Sequence, residues 1–401
     1  LEYTHEYEYG GTYTVLLTVK DSKGKSAQDN VMPMMIVRPP IIPPTPPSGN
    51  LIQRANLVSL GGFRFPAIDG YSFYTRGLAH NANNNSLFTG GGFPGPPTNE
   101  KISEITIPAV ITPDYSLMQF AAILQSPAEA SEGNDYHIGA GGADLAPSGV
   151  TIHRGGLLVY NNKLIATPYV EYDAAVPPAA VLSHWTSGLN LSTLGDFNGP
   201  YQVGSLGAAF VDGYMCEIPD AWKVRLGGPC LTGMGSLAVI SRTSYGPSLH
   251  VFDPDALTGP TGSSIPTTPL VYYPDAHQTL CRWDNLFPDD PAAHTNFYFN
   301  SACMYGGACF PVGYDTVLVF GNVGYGIPGY GAGTCDPLLD HTLVGPAEPG
   351  VYYILDKYQQ SKGSHSWPYK NQIWAYDANE LEQVKLGIKQ PWEVIPYAIW
   401  D

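Results

Sequence analysis

The sequence contains little charge and no long apolar run. Only 13% of its 401 residues are charged, which is about half of the roughly 25% usual in globular domains. No stretch of about 20 consecutive apolar residues occurs, so we expect no insertion into a membrane. Lysine and arginine number 19 against 35 aspartate and glutamate residues. The resulting net charge of −16 makes binding to the phosphates of nucleic acids unfavourable.

Motifs of several enzyme classes are absent as well. The G-x-S-x-G turn of many serine hydrolases does not occur, and residues 233–237 lack its second glycine. The glycine-rich segment 321–326 is followed by no lysine, so it does not predict a phosphate-binding loop. The Asp-box of sialidases, S-x-D-x-G-x-x-W, is also missing. No local pattern therefore indicates any of these enzyme classes.

Glycine, proline and tyrosine, in contrast, are abundant. The chain holds 45 Gly, 37 Pro and 27 Tyr, and its apolar fraction of 44% is enough for a sizeable core. Glycine supplies positive φ angles in turns, whereas proline fixes φ and interrupts helices. Because many short strands joined by turns suit this composition, we predict an all-β fold.

The first 38 residues contain a strand signal. From residue 13 to residue 19, Tyr, Val, Leu and Val occupy the odd positions, and this alternation predicts a half-buried strand. The pattern H-x-Y-x-x-x-G-x-Y-x-V-x-L-x-V-x-D-x-x-G is carried by His5, Tyr7, Gly11, Tyr13, Val15, Leu17, Val19, Asp21 and Gly24. This segment resembles the C-terminal half of a PKD domain. The resemblance implies an immunoglobulin-like β-sandwich of about 80–100 residues, whose terminal strands are residues 1–38.

A proline-rich linker follows at residues 39–50. Six prolines in this stretch favour polyproline II, a semi-rigid spacer that extends about 3.1 Å per residue. The linker is either a stalk that holds two modules apart or a passive boundary. PKD domains serve as extracellular spacers and adhesive modules, so the resemblance also implies a location outside the cell or on its surface.

Residues 51–401 repeat one pattern, in which a short apolar strand and a polar turn precede a second strand. Residues 156–160, followed by residues 164–173, are an example. Such repeated groups of small strands favour a β-propeller, expected to have six to eight blades, over a sandwich or a β-helix. The phrases GLAHNANNNSLF, KISEITIPA and QIWAYDANEL resemble uncharacterised propeller domains of secreted bacterial proteins. We expect residues 56–60 to pair with residues 394–400 and close the ring.

Six cysteines occur, all in the second half of the chain: Cys216, Cys230, Cys281, Cys303, Cys309 and Cys335. An even number in an extracellular chain permits three disulfides, with fifteen possible connectivities. We expect the nearest neighbours to pair, Cys216 with Cys230 and Cys303 with Cys309. A zinc site is a weaker interpretation, because the spacing is irregular and contains no C-x-x-C pair.

Three carboxylates are candidates for catalysis. Glu171 and Asp173 are two residues apart at a predicted strand end, so they share one face, and Asp284 follows in a later segment. Paired carboxylates of this kind are used by glycosidases. The alternative, which we favour, is that acids at strand ends cap turns, as expected for Asp253 and Asp377.

Calcium is the one cofactor that the sequence suggests. Asp253 and Asp255, and the loop at residues 284–290, offer carboxylate oxygens of the kind that bind Ca²⁺. The EF-hand pattern D-x-D-x-D-G does not occur. The prediction is therefore either a calcium site in one of these loops or no metal.

Polar residues beside aromatic residues form three candidate ligand-binding groups. They are Tyr172 with His184 and Trp185, Arg242 with Ser244, and His365 with Trp367 and Tyr369. Aromatic faces beside hydrogen-bonding groups suit sugars, and arginine suits carboxylated sugars. The alternative is that the tryptophans fill gaps between blades and the histidines bond to buried carbonyl groups.

Together, these features predict an extracellular structural or adhesive protein whose propeller binds a partner protein or a glycan. The incomplete sandwich leaves strand edges that another chain can pair with, so we also expect self-assembly or tight association with a partner. The alternative is a secreted carbohydrate-active enzyme with a catalytic propeller. Its acids would come from Glu171, Asp173 or Asp284.

Overall fold

A computed structural model gives the architecture of the chain in two units, Leu1–Ser48 and Gly49–Asp401. The residues that the structure describes are 11–20, 26–36, 49–66, 77–91, 101–237, 242–274, 304–324, 329–332, 341–348, 351–356, 362–365 and 369–401. Within them, no helix is both long enough and apolar enough to cross a membrane.

The first unit contains a β-hairpin. Strand β1 (Gly11–Lys20) pairs antiparallel with β2 (Ser26–Ile36), from Gly11 opposite Ile36 to Lys20 opposite Ser26. The register shifts between Tyr13 and Val15, which marks a bulge or irregularity. The strand predicted from the alternation of residues 13–19 thus lies inside β1, whereas two strands alone do not identify a PKD domain.

Four sheets of the second unit are arranged as a four-bladed β-propeller. Blade 1 consists of β3 (Leu78–Asn81), β4 (Ser86–Gly91), β5 (Lys101–Thr106) and β6 (Ile123–Ala128). Blade 2 consists of β7 (Ile152–Tyr160), β8 (Lys163–Val170), β9 (His184–Gly188) and β10 (Asn198–Val203). Blade 3 consists of β11 (Met215–Glu217), β12 (Cys230–Thr232), β13 (Leu249–Phe252) and β15 (Thr268–Val271). Blade 4 consists of β16 (Met304–Cys309), β17 (Thr316–Gly324), β22 (Tyr369–Asp377) and β23 (Ala398–Trp400).

The remaining elements lie between or beside these blades. Strand β14 (Ser264–Ile265), which comes from the β13–β15 connection of blade 3, pairs in parallel with β10 of blade 2. Two further pairs join β18 (Gly329–Ala332) to β21 (Lys362–His365) and β19 (His341–Glu348) to β20 (Val351–Asp356). The helices are α1 (Asp220–Leu226), between β11 and β12, and α2 (Ala378–Lys385), after β22.

The expectation of six to eight blades was wrong, because long connections occupy much of the chain. Residues 129–151 join blade 1 to blade 2 and residues 171–183 join two strands of one blade, with no strand in either segment. Such loops use chain length that additional compact blades would need. The propeller fold itself was predicted correctly.

Glycine allows the innermost strands to approach one another closely at the axis. A Cβ atom on Gly155 of β7 would lie 1.9 Å from the carbonyl oxygen of Asp212. A Cβ atom on Gly156 would lie 2.1 Å from the carbonyl oxygen of Gly213. Blades 2 and 3 therefore meet through backbone at this point, and any side chain here would force the blades apart.

Apolar side chains fill the interfaces between successive blades. Because neighbouring residues of a strand point to opposite faces, Leu157 faces blade 1 and Leu158 faces blade 3. Blades 1 and 2 share a cluster that includes Phe88, Ile102, Leu164 and Trp185. Blades 2 and 3 share Ile165, Tyr201, Met215 and Phe252. Blades 3 and 4 share Leu231, Leu249, Val251, Val317, Val319 and Trp374.

The ring closes in a different way from the one expected. Strand β23 pairs with β22, and residues 57–60 belong to no strand. Instead, residues 49–66 form a strap from blade 4 to blade 1. On blade 4, the backbone N–H of Ile52 donates to Thr316 Oγ1 at 3.0 Å, and the Tyr397 hydroxyl donates to the Ile52 carbonyl at 2.8 Å. On the blade 1 side, Gly62 bridges to Thr112.

The short C-terminal helix α2 begins directly after Asp377. The side chain of Asp377 accepts a hydrogen bond from the backbone N–H of Asn379 at 2.9 Å, which caps α2. Gly387, just past the helix end, has a φ of 72°. Glu380 bonds to Lys389 Nζ at 2.7 Å, so it stabilises the segment that follows the helix.

The predicted disulfides do not form, and the strand register explains why. In the β11–β12 pair, Cys216 is opposite Leu231, whereas Cys230 is opposite Glu217. The two thiols are therefore one position out of register and point to opposite faces of the sheet. Cys216 packs between blades 3 and 4, and Cys230 packs between blades 2 and 3. Cys309 is free as well, and the remaining three, Cys281, Cys303 and Cys335, lie outside the described residues.

Candidate functional site

A large cavity lies at the axis of the propeller. It has a volume of about 970 Å³, and all four blades contribute to its wall. Blades 1 to 3 supply several glycines, among them Gly77, Gly156 and Gly235. Blade 4 supplies many of the side chains, namely Phe320, Asn322, Asn371, Gln372, Ile373, Trp400 and Asp401.

The blade 4 wall carries an apolar row across three strands. Phe320 of β17 is opposite Ile373 of β22, and Ile373 is opposite Trp400 of β23. Directly opposed residues of antiparallel strands share one face, so these three side chains lie side by side. Phe320 is 38% exposed. The row therefore offers an accessible apolar surface to a molecule in the cavity.

An amide row runs next to the apolar row. Asn322 is opposite Asn371, and each is two positions along its strand from the apolar row, on the same face. The Oδ1 atom of Asn322 is buried and has no hydrogen-bond partner. An unsatisfied buried acceptor costs roughly 1–3 kcal/mol. The side chain of Asn371, which is exposed, is the member of the row that a ligand in the cavity can reach.

One carboxylate lies among the described lining residues, at Asp401. Its Oδ1 atom accepts from Gln372 Nε2 at 3.3 Å, and its backbone carbonyl accepts from Arg54 Nη2 at 3.1 Å. The Gln372 carbonyl oxygen accepts in turn from Trp374 Nε1 at 3.3 Å. Asp401 and Gln372 are thus linked to each other at the edge of the cavity, while the described lining contains no lysine, arginine or histidine.

Comparison with known proteins assigns the chain to no family. No protein-family model matches the chain, and no curated protein matches it. The chemistry of the lining groups therefore carries the functional interpretation. Those groups are aromatic and aliphatic side chains, amides and a single carboxylate.

The acids predicted at the end of β8 have different surroundings. Glu171 has a side chain that is 40% exposed, and its Oε2 atom is 3.4 Å from His153 Nε2. Asp173 is buried and accepts hydrogen bonds from the backbone N–H groups of three alanines, Ala175, Ala179 and Ala180, at 3.3, 3.0 and 2.8 Å. Asp173 therefore shapes the loop after β8. The third candidate, Asp284, lies outside the described residues.

His184 and Trp185 lie inside the protein, between blades. Both are fully buried, whereas Tyr172 is 50% exposed. His184 Nδ1 bonds to Ser183 Oγ at 2.8 Å, and its Nε2 bonds to Thr232 Oγ1 at 3.1 Å. Burial lowers the pKa of His184 to about 3, so the ring is neutral at physiological pH.

Trp185 belongs to a buried ion-pair group that the sequence did not reveal. Its Nε1 atom donates to Asp135 Oδ1 at 2.9 Å, and Asp135 also accepts a bidentate pair of bonds from the Arg154 guanidinium. The Arg154 guanidinium carbon is 5.1 Å from the centre of the Trp185 ring. This arrangement fixes the start of β7 and agrees with an indole that fills space between blades.

The second predicted group is split between the surface and the core. Arg242 Nε donates to the carbonyl oxygen of Ala175 at 2.7 Å, which joins Arg242 to the loop that carries Tyr172. Ser244 is buried, and its Oγ accepts from the backbone N–H of Tyr273 at 2.9 Å. In the third group the backbone places His365 in β21 and Tyr369 in β22, and Trp367 lies outside the described residues.

A buried acid lies behind the cavity wall, at Asp212. Its Oδ1 atom accepts from the backbone N–H of Gly235, a lining residue, at 2.9 Å. Its Oδ2 atom is 3.5 Å from Ser236 Oγ. Burial raises the pKa of Asp212 to about 7, although the hydrogen bonds it accepts act in the opposite direction. Asp212 therefore changes charge near neutral pH between blades 2 and 3.

The carboxylates proposed for calcium have partners within the protein. Asp253 Oδ1 accepts from the backbone N–H of Asp255 at 3.0 Å, and Asp255 Oδ2 accepts from Asn161 Nδ2 at 2.7 Å. In the part of the chain that the structure describes, no group of three or more His, Cys, Asp and Glu side chains could hold a metal ion. The loop at residues 284–290 lies outside that part.

Sequence reasoning missed the cavity residues of blade 4. Phe320 and Asn322 stand at alternate positions of a predicted strand, which is the one local signal that they share a face. Their cross-strand partners come from β22, more than forty residues later in the chain. The two rows therefore depend on strand register, which the sequence alone does not define.

Proposed function

We propose that the propeller is the binding module of an extracellular structural or adhesive protein, and that its axial cavity binds a neutral glycan. The observation that carries the proposal is the blade 4 wall, where an apolar row borders an amide row. Sugar rings present C–H faces that pack on aromatic side chains and hydroxyl groups that bond to amides. The two rows provide both kinds of contact at one surface.

The size of the cavity supports a ligand of several sugar units. Ligand sites usually have volumes of about 300–1,000 Å³, and this cavity, at about 970 Å³, is close to the upper limit. The single lining carboxylate, Asp401, and the absence of a cationic side chain among the described lining residues favour an uncharged ligand over an acidic one. The exposed amide of Asn371 supplies a donor and an acceptor at the cavity wall.

The chemistry of the lining favours binding over hydrolysis. A glycosidase needs two carboxyl groups about 5–9.5 Å apart across the scissile bond, and the described wall offers Asp401, which is bonded to Gln372. Of the pair considered for the enzyme alternative, Asp173 accepts three backbone hydrogen bonds in its own loop. No observation on the described residues favours the enzyme hypothesis over the binding-module hypothesis.

The N-terminal hairpin supports the second part of the proposal, association with other chains. Strands β1 and β2 pair with each other, and within the described residues neither pairs with a third strand. Exposed strand edges recruit strands from other chains. We therefore propose that this hairpin takes part in self-assembly or partner binding, which light scattering of the full chain would detect as a mass above that of a monomer.

The glycan proposal is tested by titrating the full chain with a panel of neutral oligosaccharides while tryptophan fluorescence and heat of binding are recorded. We expect binding by at least one member of the panel. The variant Asn371→Ala should weaken it about tenfold, the effect of losing one or two hydrogen bonds. Val224→Ala, at an exposed position of α1, is the matched control and should bind as the wild type does.

A second variant separates loss of binding from loss of folding. Trp400→Phe keeps an aromatic ring in the apolar row, so it should retain both the fold and glycan binding while removing the fluorescence response of Trp400. Absence of any heat or fluorescence change across the panel, with a folded wild-type chain, would refute the proposal.

A further inference from the structure

The centre of the blade 4 wall offers an aliphatic side chain beside an amide. In the apolar row, Ile373 of β22 lies between Phe320 and Trp400, so an aromatic ring stands at each end of the row. Neighbouring strands of a sheet are about 4.8 Å apart, which places the two rings roughly 10 Å from each other. Asn371 lies two residues before Ile373 on β22, on the same face. Between the two rings, a ligand therefore meets an aliphatic group and an amide together.

The amide of Asn371 is accessible to a ligand. Its side chain is exposed and lines the cavity. Among the described residues, none bonds to this side-chain amide, which carries two N–H donors on Nδ2 and an acceptor on Oδ1. Two residues along a strand span about 6.6 Å, so one substituent of a ligand can bond to Asn371 and touch Ile373 at the same time.

An acetamido group matches these two contacts. Its carbonyl oxygen accepts a hydrogen bond, and the methyl group on the same carbon atom is apolar, so one small substituent presents both kinds of atom. A hydroxyl group at the same position of a sugar ring is shorter and has no methyl group, so it cannot make both contacts. The acetamido group is also uncharged, which agrees with a described lining that contains no lysine, arginine or histidine.

We propose that the glycan bound in the axial cavity contains an N-acetylated amino sugar whose acetamido group bonds to Asn371 and packs on Ile373. This inference rests on the proposed function, because it names the class of sugar that the same site takes. The acetamido carbonyl oxygen accepts from Asn371 Nδ2, and the methyl group packs on Ile373. The C–H faces of the flanking sugar rings pack on Phe320 and Trp400, at the two ends of the apolar row.

The test compares two neutral trisaccharides with the same linkage, one built from N-acetylglucosamine and one from glucose, which carries hydroxyl groups in place of the acetamido groups. In calorimetric titrations of the full chain, we expect the N-acetylated trimer to bind at least about tenfold more tightly, the effect of one hydrogen bond and one buried methyl group. Equal affinities, or tighter binding of the glucose trimer, would overturn this inference and leave the neutral-glycan proposal standing. Binding of neither trimer would overturn it as well, whereas the proposed function fails only if no neutral glycan of the panel binds.

A pair of asparagine variants assigns the preference to the amide row. Asn371→Ala should weaken binding of the N-acetylated trimer about tenfold and binding of the glucose trimer by less, so the ratio of the two affinities should fall. Asn190→Ala, a matched change at an exposed asparagine outside the cavity, should keep the wild-type ratio. The melting temperature of each variant shows that it is folded. An unchanged ratio in folded Asn371→Ala would refute the contact between this residue and the acetamido group.

Discussion

The seam between blades 3 and 4 and the seam between blades 4 and 1 are built in different ways. At the first seam, one continuous cluster of buried side chains joins the two sheets. The helices α1 and α2 reinforce it, because the Arg225 guanidinium forms a bidentate pair with Glu382 and lies 3.7 Å from the centre of the Trp222 ring. This seam is held by core packing and by contacts between helices.

At the second seam, the described residues form two separate clusters. Ile52, Leu318 and Ala375 pack on blade 4, whereas Ile105 and Ala121 pack on blade 1, and no described residue belongs to both. The strap of residues 49–66 connects the two sides. One face of blade 4 therefore packs into the core that it shares with blade 3. The other face, which carries the apolar row and the amide row, lines the cavity.

The largest expected effect contrasts the two faces of β17 and β22. Trp374→Ala should lower the free energy of unfolding by about 3–5 kcal/mol, because it leaves a cavity in the cluster shared by blades 3 and 4. Phe320→Ala, on the opposite face, should cost about 1 kcal/mol, since that side chain is already partly exposed. Denaturant unfolding measures both values, and equal losses would contradict the distinction between the faces.

An intermediate effect is expected in the strap. Ile52 is buried against blade 4, so Ile52→Ala should cost about 2–3 kcal/mol. Leu60→Ala, an exposed position in the same strap, is the control and should change the free energy of unfolding by less than about 0.5 kcal/mol. If both variants unfolded as the wild type does, the strap would not be what closes the ring.

The smallest effect concerns the seam between blades 2 and 3, which is closed but contains Asp212. Because burial raises the pKa of Asp212 to about 7, the folded state retains its proton at a pH where the unfolded state has lost it. This contribution to stability is complete below about pH 4 and disappears as the pH rises through about 7. Asp212→Asn stays neutral, so its melting temperature should not show this decline.

The matched control for the pH experiment is Glu217→Gln, at an exposed position of β11. It should follow the wild-type curve. Between pH 6 and pH 8 the wild type should lose on the order of 1 kcal/mol of stability relative to Asp212→Asn, since a proton held by the folded state alone changes stability by about 1.4 kcal/mol per pH unit up to the folded pKa of about 7. Parallel curves for the wild type and Asp212→Asn would show that this carboxyl group does not titrate as its burial requires.

Local patterns predicted the elements better than they predicted the contacts between them. Alternation and turn residues identified the strands, the all-β class and the propeller, and Asp377 was expected as a capping acid at a strand end, where it accepts from the backbone N–H of Asn379. The blade number failed because loop length does not show in a strand pattern. The pairing of Cys216 with Cys230 failed because a shift of one residue in register reverses the face of a side chain.

The same limit applies to the candidate site. The opposition of Asn322 and Asn371 arises from pairing between distant strands, so neither residue carries a recognisable motif. His184 and Trp185 stood out in the sequence as a polar and an aromatic residue side by side. Inside the core between blades, His184 bonds to Thr232 and Trp185 bonds to Asp135. No local sequence pattern distinguishes that buried environment from a binding surface.

The strap also bears on the order in which the molecule is completed during synthesis. The backbone N–H of Asn50 donates to Asp315, which is 265 residues later in the chain. The carbonyl of Ile52 accepts from the Tyr397 hydroxyl, which is 345 residues later. A ribosome adds about 5–20 residues per second, so blades 1 to 3 emerge many seconds before the strap finds its partners. The nascent protein is therefore an open arc, with one side of its first blade uncovered, until Tyr397 has left the ribosome.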